Sequence, residues 1–305
     1  MTLRQFVTKT DPGRRRRNNE DVYVCEPPLF AIADGMGGAR AGEIASGLAA
    51  AALKAGEVDG SGEERVVALI QEANRSVYER SSADAEVAGM GTTITVALVG
   101  DVGVTFGHVG DSRAYALRDG ELEQLTDDHS LVAELVRAGK LSAEEAEHHP
   151  QRSVITRALG TDPDVDVDAF TVEARAGDVF MICSDGLTDM VGDEEIVQIL
   201  ERRDSLDDAA RGLVSRANDA GGQDNITVIA FEITDEPDEP DEHTLEQTVT
   251  GTQPLPPQEP ARVDHTEGRS AAKPDARKPG RRFLPLLLLI AAIVVAAILL
   301  WVLAR

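Results

Sequence analysis

The sequence predicts an α+β fold with antiparallel sheets over residues 1–233. Short runs rich in β-branched and aromatic residues end at Gly or at Asp-Gly, as strands that close with tight turns do. Strand-like runs arrive as hairpins and helical stretches arrive in pairs, so the chain lacks the regular strand–helix alternation of a parallel sheet. No Walker-type loop, GxGxxG fingerprint or internal repeat occurs.

Strand-like runs and helical stretches account for most of this region. The strand-like runs are, in order, VYVCEPPLFAIAD, TTITVALVG, GVTFGHVGDSRAYALRDG, VFMICSDG and ITVIAFEI. The helical stretches are 41–55, which is rich in alanine, 63–80, 128–139, 142–148 and 193–217. Their order predicts sheets built from sequential hairpins, with helices packed outside them.

Composition excludes several classes of protein. The 305 residues include 54 acidic and 30 basic side chains, a net charge of −24 that argues against a nucleic-acid partner. Hydrophobic residues make up 42%, enough to bury a core. The two cysteines, Cys25 and Cys183, lie in apolar runs, so we expect no disulfide framework and a reducing compartment. The start, MTLRQFVTKT, has no apolar segment typical of a secretory signal.

From residue 234 the composition changes abruptly. Residues 234–282 hold 8 of the 14 prolines and almost no large apolar side chains, so we expect a disordered linker, first acidic and then basic. Residues 283–303, FLPLLLLIAAIVVAAILLWVL, carry no charge and would form a transmembrane helix ~31 Å long. Basic residues precede this segment. The positive-inside rule therefore predicts a single-pass cell-membrane protein whose domain 1–233 is cytoplasmic.

Carboxylates fall at the ends of the predicted strands. Asp34 and Asp185 each follow an apolar run and precede Gly, Asp224 directly precedes the last run, and Glu20 and Asp21 stand just before the first. One such Asp would most often be a turn former. Three of them at strand ends suggest an oxygen-rich site, and the lack of His and Cys favours Mg²⁺ or Mn²⁺ over zinc. Two such ions could activate a water for attack on a phosphoryl group.

Six segments resemble one known family. GRRRRNNED, FAIADGMGG, GTT, GDSRAY, CSDGLTD and GGQDNIT occur in the order of the metal-dependent type 2C Ser/Thr protein phosphatases, over about residues 5–233. The resemblance implies a four-layer αββα fold, in which two antiparallel sheets form a β-sandwich flanked by helices and a dinuclear metal site lies in a cleft between them. It also implies that the region of about 127–163 is the flap subdomain of bacterial members.

The resemblance assigns ligands for two Mn²⁺ or Mg²⁺ ions. Asp34 would bridge both ions, and the Gly35 carbonyl would bind one of them. Asp185 and Asp224 would complete the ligands of the second ion. A hydroxide bridging the two ions would attack phosphorus directly, with no covalent enzyme intermediate.

Further acidic residues are assigned outer roles by the same resemblance. Glu20 and Asp21 would act mainly through bound waters. Asp111, together with Asp185 and Asp189, matches a third and weaker metal position.

The sequence has the arginine that binds the substrate phosphate in this family, but it lacks the histidine that serves as general acid. The family pattern Arg-x-x-Asn-x-Asp fits Arg16, Asn19 and Asp21, and a planar guanidinium suits bidentate binding of phosphate. The other three arginines of the RRRR run are expected to form a solvated basic turn. Met36 stands where many members have the His that serves as general acid, so a metal-bound water could protonate the leaving group instead.

The histidines are weighed as alternatives for that role. His108 lies in a strand-like run and is expected to be a core or strand residue. His129, His148 and His149 fall in the flap-like region and are expected at the surface. None is assigned to catalysis.

These observations favour a membrane-tethered phosphoserine/phosphothreonine phosphatase. Its partners would be phosphorylated proteins and a membrane Ser/Thr kinase that it opposes; the kinase is implied by the resemblance alone. One alternative is a catalytically inactive scaffold that binds phosphoproteins, although the expected loss of Asp34 or Asp224 is not seen. Another is that the anchored tail is the functional part and its acidic linker recruits a basic partner.

Overall fold

Two antiparallel sheets are the centre of the computed structural model, which describes residues 2–37, 41–56, 60–101 and 103–235. The strands are β1 (Thr2–Asp11), β2 (Asp21–Glu26), β3 (Leu29–Met36), β4 (Gly91–Thr92), β5 (Ile94–Val99), β6 (Gly103–Val109), β7 (Arg113–Arg118), β8 (Glu121–Gln124), β9 (Asp168–Glu173), β10 (Val179–Cys183) and β11 (Ile226–Thr234). The helices are α1 (Ala41–Ala55), α2 (Gly62–Ala83), α3 (Leu131–Arg137), α4 (Ala143–Glu147), α5 (Asp185–Thr188), α6 (Asp193–Glu201) and α7 (Leu206–Asp219).

Every strand pair is antiparallel, as the sequence predicts. One sheet has the order β1-β11-β10-β7-β8, and the other has the order β2-β3-β5-β6-β9 with β4 paired to β3. Three pairs of the described strands are hairpins, namely β2 with β3, β5 with β6 and β7 with β8, whereas the other pairs join strands that are distant in sequence or separated by helices. The prediction of sheets built from sequential hairpins is therefore confirmed for these three pairs only.

Aromatic rings fill the space between the two sheets. Phe30 of one sheet stacks on Phe231 of the other with ring centroids 4.6 Å apart, and Phe180 lies 5.5 Å from Phe231. All three rings are fully buried, and such pairs contribute about 0.5–1.5 kcal/mol each beyond area burial. This inter-sheet core fixes the distance between the sheets and thus the width of the cleft at their ends.

Helices cover both outer faces. Ala45 of α1 and Leu69 of α2 join the core under the β3–β5 sheet, and Ile196 of α6 and Leu213 of α7 join the core under the β10–β11 sheet. The four-layer αββα arrangement is confirmed. Within the described residues no helix is long and apolar enough to cross a membrane, and the segment 283–303 lies outside them, as does the linker from 236 onward.

Three strands were not predicted, and all three lie at sheet edges. β1 pairs only with β11, β8 only with β7, and β9 only with β6. Edge strands bury few side chains, and the sequences TLRQFVTKTD, ELEQ and DAFTVE lack the apolar runs that mark a central strand. β11 ends at Thr234, one residue beyond the predicted domain limit.

The stretch 193–217, predicted as a single helical segment, is two helices. α6 ends at Glu201 and α7 begins after Ser205, whose Oγ accepts a hydrogen bond from the Asp208 N–H at 3.1 Å. A Ser at this position satisfies one of the free N–H groups of the first helical turn, so the new helix starts there. The flap-like region 127–163 contains α3 and α4, each also begun by a capping Ser.

Candidate active site

Five acidic side chains come together at one end of the sandwich. Asp21 and Asp34 face each other across the β2–β3 ladder, and Asp185 and Asp224 follow β10 and precede β11 in the other sheet. Asp111 lies in the turn between β6 and β7. Burial and then the charges of Asp21, Asp185, Asp111 and Asp224 raise the pKa of Asp34 well above its ordinary value. The strand-end carboxylates predicted from the sequence therefore form one electrostatic cluster.

Threonines hold the backbone of Asp34. Thr92 Oγ1 donates to the Asp34 carbonyl at 2.8 Å, and the Thr93 N–H donates to the same oxygen at 2.9 Å. The Asp34 N–H in turn donates to Thr93 Oγ1 at 3.2 Å. Thr92 and Thr93 are both buried, and they fix the backbone that carries the proposed bridging carboxylate.

Asp21 is held by one oxygen only. Thr227 Oγ1 and Ser184 Oγ donate to Asp21 Oδ2 at 2.6 and 2.8 Å, whereas Oδ1 is buried and has no hydrogen-bond partner. Burial raises the pKa of Asp21 to about 6, against the lowering effect of those two hydroxyls. The fixed oxygen orients the carboxylate, and the other oxygen is left for a ligand.

Asp185 and Asp111 also have one buried oxygen without a partner. The Oδ1 atoms of Asp21, Asp111 and Asp185 are three of the six such side-chain atoms among the described residues. Buried acceptors are almost always satisfied, so this concentration is the chemistry expected of a cation site. Burial, followed by the charges of Asp111 and Asp189, raises the pKa of Asp185 well above its ordinary value. Carboxylate oxygens of this kind fit Mg²⁺ or Mn²⁺.

Glycines bring Glu20 and the Gly35 carbonyl together at the start of α1. A Cβ placed on Gly42 would lie 2.1 Å from Glu20 Oε2 and 2.8 Å from the Gly35 oxygen. The Gly35 N–H donates to the Glu20 carbonyl at 3.2 Å, and Ser46 Oγ donates to that carbonyl at 2.6 Å. Any side chain at position 42 would therefore displace two of the predicted oxygen ligands.

Arg16 lies at the mouth of the cluster. Its Nη2 is 2.5 Å from Asp224 Oδ2, and its side chain remains half exposed. Asn19 Oδ1 accepts the Asp21 N–H at 3.1 Å, so the Arg-x-x-Asn-x-Asp segment is ordered around the site. An exposed guanidinium beside the buried carboxylates can bind a phosphate bidentately.

Asp189 forms an ion pair with an arginine of the flap-like region. Arg152 Nη1 lies 2.6 Å from Asp189 Oδ2, and both side chains are about one-third exposed. Asp224 and Asp189 thus face arginines, and no set of three or more described His, Cys, Asp or Glu side chains already surrounds a single metal position. Asp111 and Asp185 are nevertheless close enough to interact electrostatically with Asp189, as the predicted third position requires.

Asn225 is a positioning residue that the sequence did not reveal. Its Oδ1 accepts the Glu20 N–H at 2.7 Å, and its Nδ2 donates to the carbonyls of Pro12 and Asn18 at 3.1 and 2.9 Å. One side chain therefore ties the Asp224 segment to both ends of the arginine-rich turn and to Glu20. Its place directly after Asp224 in GGQDN was the available signal.

Within the described residues, no histidine makes a hydrogen bond or ion pair with the carboxylate cluster. His108 is buried in β6 as expected, and burial followed by the nearby His129 lowers its pKa to about 4. The expectation that His129 is a surface residue is wrong, because it is 3% exposed. Its Nδ1 accepts the Gly110 N–H at 3.0 Å, so Nε2 carries the proton and donates to Asp168 Oδ2 at 3.0 Å. His148 is exposed.

The family model described as "Protein phosphatase 2C" matches residues 20–226. The serine/threonine phosphatase stp of Listeria monocytogenes is 40% identical over 240 residues, which are 73% of this chain and 94% of that protein. The serine/threonine protein phosphatase PstP of Mycobacterium tuberculosis is 41% identical over 234 residues, 76% of this chain and 45% of that protein.

Solved structures agree with these relatives. The M. tuberculosis serine/threonine phosphatase PstP/Ppp has a TM-score of 0.71 and 40% identity, covering 75% of this chain and 98% of its own. The catalytic domain of PstP in complex with two manganese ions has a TM-score of 0.68 and 37% identity, covering 76% and 98%. With its site and fold in agreement, this chain belongs to the protein phosphatase 2C family of metal-dependent serine/threonine phosphatases and is a phosphoprotein phosphatase.

Proposed function

We propose that this protein removes phosphate from phosphoserine and phosphothreonine side chains of proteins with the help of two Mn²⁺ or Mg²⁺ ions. The three unpaired buried oxygens of Asp21, Asp111 and Asp185, lying beside the exposed guanidinium of Arg16, carry this proposal. Carboxylate oxygens are suitable ligands for these cations, and a guanidinium is a suitable ligand for a phosphate.

The chain's own residues divide the work. Asp34, with its backbone fixed by Thr92 and Thr93, would contact both cations, and the Gly35 carbonyl, Asp185 and Asp224 would complete their protein ligands. When bound, the two cations supply Lewis-acid activation of a water for attack on phosphorus. Glu20 and Asp21 would act mainly through bound waters, and Asp111, together with Asp185 and Asp189, would hold a third, more weakly bound cation.

Arg16 holds the substrate phosphate. To do so its guanidinium exchanges the Asp224 carboxylate for phosphate oxygens, which releases Asp224 toward the cations. The exchange replaces one charge-assisted hydrogen bond by another and therefore costs little. Positive charge at the mouth also attracts the dianionic substrate.

Neither Ser184 nor Cys183 is placed to be a covalent nucleophile. Ser184 Oγ donates to Asp21, and burial raises the pKa of the Cys183 thiol to about 12. Met36 offers no proton for the leaving alkoxide. These features support direct hydrolysis, in which water is the nucleophile and also supplies the proton.

The chain is further proposed to be held at the inner face of the cell membrane by residues 283–303. The uncharged 21-residue segment and the basic residues before it support a single-pass anchor with the domain in the cytoplasm. There it would meet phosphorylated proteins and a membrane Ser/Thr kinase. Fractionation of cells expressing the full chain tests the anchor, since replacing apolar residues of 283–303 by Ser should move the protein from the membrane to the soluble fraction.

Hydrolysis of a phosphothreonine peptide by the full chain in EDTA, Mg²⁺ or Mn²⁺ tests the activity. Turnover should require a cation and should be abolished by Asp34→Asn and by Asp224→Asn. Asp164→Asn, the same change at an exposed aspartate outside the cluster, should leave turnover intact. A folded wild-type protein that is inert with every cation but still binds the phosphopeptide would favour the inactive scaffold.

A further inference from the structure

Four consecutive arginines form an exposed turn between β1 and β2. Arg14, Arg15, Arg16 and Arg17 all have exposed side chains, in a chain whose net charge is −24. Only Arg16 is paired, with Asp224. The guanidinium groups of Arg14, Arg15 and Arg17 make no ion pair or hydrogen bond with any residue in the described part of the chain.

The turn is held firmly in spite of its charge. The N–H groups of Arg14 and Arg15 donate to the Gly222 carbonyl at 2.7 and 3.2 Å, and Asn225 bonds the carbonyls at both ends of the turn. At Gly13, φ is +77°, and a Cβ there would lie 2.2 Å from the Asp224 oxygen. The arginines are therefore presented by a backbone that rests directly on the Asp224 segment.

Unpaired like charges in a rigid turn are unfavourable by themselves. Like charges held close together repel each other even in water. Many other arginines in the described residues reduce such repulsion by pairing with acids, as Arg113 does with Asp128 and Arg118 with Asp178. The unpaired guanidiniums beside the phosphate clamp are thus available to an anion that arrives with the substrate.

An anionic membrane surface is disfavoured as the occupant of this turn, because the large excess of acidic residues in the chain would be repelled by it.

We propose that Arg15 and Arg17 select phosphoprotein segments that carry a second negative charge close to the phosphorylated residue. The proposal rests on the proposed phosphatase activity, in which Arg16 holds the phosphate to be removed. A neighbouring Asp, Glu or second phosphate then lies within reach of the adjacent guanidiniums. Exposed ion pairs contribute little individually, so two of them are expected to favour an acidic segment by about fivefold at moderate ionic strength, which corresponds to about 1 kcal/mol in total.

Three phosphothreonine peptides test this selection on the full chain in Mn²⁺. One has Ala on both sides of the phosphothreonine, one has Asp in place of the alanines, and one has a second phosphothreonine. The quantity measured is kcat/KM for each charged peptide divided by kcat/KM for the Ala peptide. In wild type this ratio should be about five or more and should fall with added NaCl. In the double variant Arg15→Gln, Arg17→Gln it should approach one.

The matched control removes the same charge elsewhere. Arg202→Gln, Arg203→Gln at the end of α6 should keep the wild-type ratio. An enhanced ratio for the doubly phosphorylated peptide alone identifies a second phosphate as the recognised anion, and equal ratios identify charge in general.

Other outcomes overturn the proposal. A ratio that the Arg15, Arg17 variant leaves unchanged refutes selection while the phosphatase activity stands. An equal fall with all three peptides means that the two arginines only support the fold. Loss of binding to phosphatidylglycerol vesicles, with an unchanged ratio, assigns the turn to a lipid surface. No turnover of any peptide by wild type refutes the proposed function itself.

Discussion

Replacing Asp111 by Asn should stabilise the cation-free protein. Burial, followed by the charge of Asp128, raises the pKa of Asp111 from its ordinary value of 3.8 to about 7. Below about pH 4 this carboxyl is protonated in both the folded and the unfolded chain and contributes nothing. As pH rises the unfolded chain ionises first, so the free energy of unfolding falls until the folded-state pKa of about 7 is passed.

The size of the effect follows from that difference. The pKa of Asp111 differs by about three units between the unfolded and the folded chain, which corresponds to about 4 kcal/mol. This value is the upper limit of the amount by which ionised Asp111 lowers the free energy of unfolding at pH 8. For a domain of this size the neutral amide should raise the melting temperature by about 10 °C at pH 8 in EDTA. The gain should shrink toward pH 5. Added Mn²⁺ should also narrow it, because a cation neutralises the wild-type cluster.

Thermal unfolding of wild type and Asp111→Asn, measured by circular dichroism at pH 5, 6, 7 and 8 in EDTA, checks this expectation. Asp164→Asn, which changes an exposed aspartate in the same way, should leave the melting temperature within about 2 °C of wild type. If Asp111→Asn has the same melting temperature as wild type at pH 8, or if the increase in melting temperature does not depend on pH, then buried charge does not limit the stability of this end of the sandwich.

Further substitutions test the bridging role of Asn225, the phosphate clamp at Arg16 and the burial of His129. Asn225→Ala leaves the Glu20 N–H without its acceptor and should lower the free energy of unfolding, measured in urea, by about 3 kcal/mol. A loss of less than about 1 kcal/mol would contradict the bridging role of Asn225. Arg16→Lys keeps the charge but not the planar fork, so kcat/KM for a phosphothreonine peptide should fall about tenfold or more, and an unchanged value would exclude bidentate binding. His129→Ala should lower the free energy of unfolding by about 3 kcal/mol, whereas His148→Ala should lower it by less than about 0.5 kcal/mol. Equal losses of stability in the two variants would contradict the burial of His129.

The sequence revealed those features of the fold and site that depend on local patterns. Asp34 and Asp185 end apolar runs and precede Gly, which marks a strand end regardless of what lies around it. Sheet-edge strands such as β1 carry no such pattern, because half of their surface faces solvent. The position of β1 comes from pairing with residues more than 200 positions away, as Thr2 does with Thr234.

Contacts distant in sequence also decided which polar residues matter. The hydroxyls that hold Asp21 come from Ser184 and Thr227, 163 and 206 positions along the chain. His129 is buried because the fold brings Asp168 and the Gly110 turn to opposite sides of its ring. A Ser, Thr or His in a polar segment gives no local sign of such a partner, so these roles became visible only in the folded protein.

The carboxylate cluster and the arginine turn carry opposite charges, and both keep polar groups without partners. At the floor of the cleft, each of Asp21, Asp111 and Asp185 keeps one oxygen without a partner, which destabilises the fold until cations bind. At the rim, Arg15 and Arg17 stay unpaired until an anionic segment arrives. Ion pairs between the arginines and the carboxylates would stabilise the protein without cations or substrate, and Arg16 forms such a pair with Asp224. Asn225 holds the backbones of the cluster and the turn in place, so their charges stay near one another and remain mostly unpaired.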